Sequence, residues 1–179
     1  MGSGWEWVGE KVGYGLAALV LGPAALVERK SRREAKRAFL RFAHAHEPDV
    51  LDAPRGTFRR LLRLPTAEGP LHVEVRLDLS TRRALLTTHL PEMPASFEFT
   101  GGVRLDTAEE GDENANALLQ EIGTELMDSM TAYELVLKEG RAELLVKAPP
   151  ADVAWEAIAS VVLKIAAWSH KKWAHSYRT

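Results

Sequence analysis

The chain contains no cysteine, which removes disulfides, thiolate metal ligands and a cysteine nucleophile together and suits a reducing compartment. Motifs with catalytic mechanics are missing as well. There is no G-x-S-x-G elbow and no H-x-x-x-H or H-E-x-x-H spacing, and Gly101-Gly102 lacks the surroundings that would cradle a phosphate. No low-complexity tract and no fixed-period repeat interrupts the pattern, which sets aside disordered and solenoid architectures. The expectation is a non-enzymatic protein without cofactor or metal.

What is present is an uneven charge distribution beneath a net charge of -2. Residues 1–27 carry Glu6, Glu10 and Lys11. Residues 28–41 carry seven bases, Arg29, Lys30, Arg32, Arg33, Lys36, Arg37 and Arg41, against Glu28 and Glu34, while the remainder is acidic. A basic collar thus joins an apolar head to an acidic body. That body lacks the cationic footprint that nucleic acid requires.

From Val12 to Val27 sixteen residues pass without a charge. As a helix at about 1.5 Å per residue they span roughly 24 Å, short of a hydrocarbon core of about 30 Å. Extension back to Trp5 brings the span to about 34 Å. Trp5 and Trp7 then fall where an interfacial aromatic belt lies. Trp5, Trp7, Leu16, Leu19, Val20, Leu21, Leu26 and Val27 are the expected membrane anchor. Gly13, Gly15, Gly22 and Pro23 weaken such a helix in water and are better tolerated in lipid. The positive charge follows the apolar run rather than preceding it, unlike a secretory signal, so the positive-inside rule places the body on the cytoplasmic side. Arg29, Lys30, Arg32, Arg33, Lys36 and Arg37 are expected to meet anionic headgroups, at about 1 kcal/mol per base. The competing reading makes residues 12–27 a buried or partner-bound helix of a soluble cytoplasmic protein.

The body reads as α+β: a mainly antiparallel sheet packed with helices in the order α-β-β-β(-β)-α-β-β-α, behind the apolar helix. Three units are expected: the anchor at 1–28, a basic amphipathic helix at 29–47 and the α+β domain at 55–179. Ala35, Ala38, Phe39, Phe42 and Ala43 recur at helical spacing and should dock the collar helix. "LHVEVRLDL" alternates with period two, as a sheet with one dry face does. "TFRRLLRL" and "RALLTTHL" flank it as a meander, and "SFEFTGGVRL" follows with two glycines that permit a bend. A helix follows with Ala115, Leu118, Leu119, Ile122, Leu126 and Met130 inward. Next comes a hairpin turning at Glu139-Gly140, and then a last helix beyond Pro149 and Pro150. That helix has an apolar arc wider than one sheet face needs. Trp155, Ile158, Val162, Ile165, Trp168 and Trp173 are therefore the expected surface for a protein partner, a second copy or the underside of the first helix.

The histidines offer weaker leads. His44 and His46 diverge by about 200° on a helix, so joining one metal ion would require a loop that gathers Glu47 and Asp49. His72 and His89 suit cross-strand polar pairing. His170 and His175 flank a basic helix end that complements the macrodipole.

"FEFTGG", Asp106, "GDENANALLQEIGTELMDSMTAYELVLKEGRAELLV" and the closing apolar helix together resemble a pattern of uncharacterised bacterial membrane-anchored proteins. There a Phe-rich strand ends in a Thr-Gly-Asp turn, and a helix, a hairpin with an acidic-Gly turn and a final helix follow. The resemblance covers about residues 95–170 and departs at Gly102, where the pattern more often has Asp. It implies a membrane anchor and no particular chemistry. The element order is also similar to that of small dimeric type III secretion chaperones, which implies a soluble, partner-holding dimer. The expected function is a non-enzymatic interaction or scaffolding module tethered to the cytoplasmic membrane face. The alternatives are a chaperone-like dimer and a small-ligand or lipid binder with a pocket lined by Phe97, Phe99, Leu119 and Trp155.

Overall fold

The computed structural model describes residues 6–102, 113–128, 133–149 and 152–173, with side chains of the first helix described from Leu26 onward. The elements are α1 (Glu6–Ala45), β1 (Asp49–Leu51), β2 (Thr57–Leu64), β3 (Leu71–Asp78), β4 (Arg83–His89), β5 (Glu98–Gly102), α2 (Glu113–Asp128), β6 (Tyr133–Lys138), β7 (Arg141–Lys147) and α3 (Asp152–Trp173). The architecture is α+β, a seven-stranded antiparallel sheet with three helices. Trp5 lies outside the described residues, as do the side chains of Trp7, Leu16, Leu19, Val20 and Leu21. Among the described residues no helix is long and apolar enough to cross a membrane.

Period-two alternation places the dry side chains of successive strands in register. Val75 lies opposite Leu86, Leu86 opposite Leu144, Leu144 opposite Leu135 and Leu135 opposite Gly101. A second row runs through Leu62, Val73, Thr88, Ala142, Leu137 and Phe99. All of these lie in the buried interior. The strand order is β1-β2-β3-β4-β7-β6-β5. The expected meander is therefore present, and the final hairpin inserts between β4 and β5.

Two local features depart from the sequence reading. Asp49–Leu51 forms a three-residue edge strand on β2; three residues are too few to show periodicity, and Val50 is exposed. Gly101 makes no bend, because β5 stays in register with β6 through Gly102. Its missing side chain admits α2 instead: a Cβ there would meet the Leu119 side chain, with Cγ at 3.2 Å. Gly123 performs a similar service, since a Cβ would lie 3.0 Å from the Tyr133 hydroxyl, which donates to the Leu119 carbonyl at 3.2 Å. The Glu139-Gly140 turn is as expected. Both residues have positive φ, 52° and 71°, the mirror-image turn whose twist matches a two-residue hairpin.

The wide apolar arc of α3 is consumed within the chain. α3 packs against α1 along one flank and α2 along the other, so it needs apolar residues on three sides. Trp155 meets Phe39 and Phe42 of α1 at ring-centroid distances of 5.2 and 5.7 Å. Ile158, Val162 and Ile165 are buried in the same core, Trp173 is buried, and Trp168 is half-buried against Phe97 and Trp173. Five of these six side chains are thus buried within the chain, and Trp168 alone of them keeps part of its surface open. Of the three occupants expected for the arc, the underside of α1 takes its Trp155 end. The expected pocket lining is divided too, because Phe97 sits against Trp168 and Trp173 while Trp155 lies thirteen residues away, about 20 Å along the helix.

Trp155 is 0 % exposed, and its indole nitrogen has no hydrogen-bond partner. Trp155→Ala should cost about 3–5 kcal/mol of stability by denaturant unfolding. Trp155→Phe should cost clearly less, because it fills much of the space and removes a buried, unpaired N–H.

Candidate functional site

The collar helix has two working sides. Ala35, Ala38, Phe39, Phe42 and Ala43 are buried against the body, and Lys36 lies over the Phe58 ring at 4.6 Å. Arg32 also turns toward the body, pairing with Glu28 at 2.5 Å and donating to the Ser80 carbonyl at 3.5 Å. Arg29, Lys30, Arg33 and Arg37 are exposed. With Leu26 and Glu34 they line one shallow groove, as the spacing of three and four requires. Leu26 and Val27, at 66 % and 69 % exposure, stand at the head of this stripe. Of the six expected collar bases, four thus face outward and two help to seat the helix.

The β3–β4 turn holds that seat. Asp78 Oδ1 accepts from the Ser80 hydroxyl at 2.6 Å, the Ser80 amide at 2.7 Å and the Thr81 amide at 3.5 Å. These bonds, that of the Ser80 hydroxyl foremost, hold the carboxyl below its ordinary range. The turn so ordered presents the Ser80 carbonyl to Arg32 and lets Arg82 donate to the Ser31 hydroxyl at 3.0 Å. On the far flank of the helical layer, Lys164 of α3 bridges Glu121 and Glu125 of α2 at 3.2 and 2.6 Å. Its hydrogen bonds, that to Glu125 first, raise the ammonium above its usual value.

The acids near His44 and His46 are drawn elsewhere. Asp49 and Glu47 pair with Arg63 at 2.7 and 3.7 Å, and the His46 ring meets that of Phe42 in a tilted contact at 4.6 Å. Among the described residues no group of three or more His, Asp or Glu side chains is arranged to hold a metal ion. His175 and Asp106 lie outside the described residues.

A cluster that the sequence did not announce lies at the C-terminal part of α3. His170 Nδ1 is 2.8 Å from Glu92 and Nε2 is 3.1 Å from Glu68, so both ring nitrogens face carboxylates. Glu68 belongs to the β2–β3 turn and Glu92 to the connection after β4, so one imidazole ties two loops to a helix. Beneath it lies a cleft of about 640 Å³ that also includes His72 and His89 at its edge. Prolines 65, 70 and 91 beside the two acids mark the segments as turns. No local pattern indicates that three segments so distant in sequence converge.

The chain matches no protein-family model, no curated protein and no solved structure.

The depressed Asp78 carboxyl contributes stability that is present above the unfolded Asp value and is lost as pH falls through the lower folded one. Asp78→Ala should therefore lower the unfolding midpoint at pH 7, and the gap to the parent should close as the pH is taken below the ordinary Asp range. A gap of equal size at pH 7 and in strong acid would contradict this role.

Proposed function

We propose that this protein is a non-enzymatic interaction module held on the cytoplasmic face of a bacterial membrane, with the segment from Trp5 to Val27 as anchor. One observation carries the reading: Leu26 and Val27 are uncovered by the body at the point where the uncharged segment meets four outward-facing bases. An exposed leucine-valine pair heading a cationic stripe suits the boundary between acyl chains and anionic headgroups. The division of the collar supports it further. The side of α1 that meets the sheet is apolar, so the body can sit against the helix while Arg29, Lys30, Arg33 and Arg37 remain available to phosphate.

A protein partner or a second copy of the chain then meets the body. Most of the arc of α3 is filled from within, so the reading favours the sheet edge at β5, an outer strand that among the described residues pairs with β6 alone. Such an edge accepts an extended segment through main-chain hydrogen bonds.

The absence of native cysteine makes the arrangement measurable. In fractionated bacterial cells the full-length chain should sediment with membranes and resist a high-salt, alkaline wash. A single reporter at an exposed site, Val153→Cys, should react with a membrane-impermeant maleimide only after lysis. Recovery of the full-length chain in the soluble fraction overturns the tether, and labelling in intact cells overturns the side. Neutralising Arg29, Arg33 and Arg37 to Gln should remove about 3 kcal/mol of headgroup attraction and render the wash-resistant fraction smaller or its orientation mixed.

A further inference from the structure

We propose that the cleft beneath His170 is a binding site for a small, uncharged, largely apolar molecule carrying one hydroxyl or carbonyl group. The cleft volume of about 640 Å³ lies within the range of small-molecule sites. Its lining includes Leu71, Leu90, Leu163 and Ala166, from two strand ends and α3. Ser169 lines it too, 1 % exposed, and its hydroxyl oxygen has no hydrogen-bond partner. A buried hydroxyl left unpaired costs about 1–3 kcal/mol. Turning the Ser169 side chain toward the cleft to pair with a ligand oxygen removes that penalty.

The charge at the rim narrows the class. No lysine or arginine lines the cleft among the described residues, so an anionic headgroup finds no fixed cation. The carboxylates of Glu68 and Glu92 both face His170, so a cationic ligand would have to compete with the imidazole. What remains is an apolar body with a single neutral polar end, the chemistry of a medium-chain alcohol or ketone. The same imidazole, with a carboxylate oxygen near each ring nitrogen, joins the β2–β3 turn and the loop after β4 to α3, so the walls are held in place before a ligand arrives. Such preorganisation lowers the ordering cost of binding. This site stands apart from the basic stripe of α1 and does not depend on the membrane tether.

The test uses the full-length chain and two photoactivatable probes, a diazirine-bearing decanol and the corresponding diazirine alkane, with labelled peptides mapped by mass spectrometry. The alcohol should label segments 65–72 and 163–170 saturably and be displaced by 1-decanol. Ala166→Trp, which fills the cleft, should reduce this labelling at least tenfold, and Leu163→Phe serves as a second filling variant if the first does not fold. Ser169→Ala should weaken labelling by the alcohol five- to tenfold, leave labelling by the alkane unchanged and not lower the unfolding midpoint. Labelling that is not saturable, that falls elsewhere without enrichment at the cleft, or that persists in folded filling variants overturns the site. Equal labelling of the parent and Ser169→Ala by the alcohol overturns the role of the hydroxyl.

Discussion

One apolar sheet face must be removed from water, and this requirement organises the molecule. The rows through Val75, Leu86, Leu144 and Leu135 and through Leu62, Val73, Ala142 and Leu137 present a continuous hydrophobic floor. No single helix spans seven strands spaced by about 4.8 Å. Three helices share the task, and α3 in the middle touches its neighbours on both flanks. This explains why α3 is apolar around most of its circumference and why its fully buried Trp155 is placed against aromatic residues of α1. The opposite sheet face carries the alternating charged and polar residues, including the Arg59–Glu74 pair at 2.6 Å.

The same requirement gives α1 two roles. Its Phe39 and Phe42 stripe completes the roof over the sheet, while Arg29, Arg33 and Arg37 recur on a side the body does not cover. A helix with one side committed to packing and the other to cations joins the fold rigidly to whatever the cations meet. The residues that stiffen this junction are modest: a carboxylate ordering a turn, a carbonyl met by Arg32, and a serine hydroxyl met by Arg82. On the proposed reading, they would set the tilt of the body relative to a lipid surface.

The parts of the fold that the sequence displays are those governed by local periodicity. Leu71 to Leu79 alternate because one face is wet, and Glu139-Gly140 turns because its residues tolerate positive φ. The stripe of Ala35, Phe39 and Phe42 is visible for the same reason. What escaped depends on contacts between distant segments. The apolar arc of α3 reads identically whether a partner, a copy or α1 covers it, and only the Phe39–Trp155 contact distinguishes them. Gly101 reads as a bend until Leu119 is seen to occupy the space above it. The convergence of Glu68, Glu92 and His170 spans more than a hundred residues, and no spacing rule encodes it. Lining residues such as Ser169 look like ordinary helical serines until their missing partners are noticed.

The placement of β7 beside β4 has a consequence for how the chain is made. An N-terminal meander of β1 to β4 can pair as soon as it emerges, yet the neighbour of β4 lies more than fifty residues downstream, and β5 has nothing to pair with until β6 exists. A ribosome delivering a few to about twenty residues per second leaves the edge of β4 bare for seconds. During that interval the newborn polypeptide displays Leu86 and its neighbours along an open strand, the kind of surface on which chains stick to one another. Closure by the last hairpin and α3 is thus the step at which nascent material escapes aggregation, and it makes the C-terminal third the guardian of everything synthesised before it.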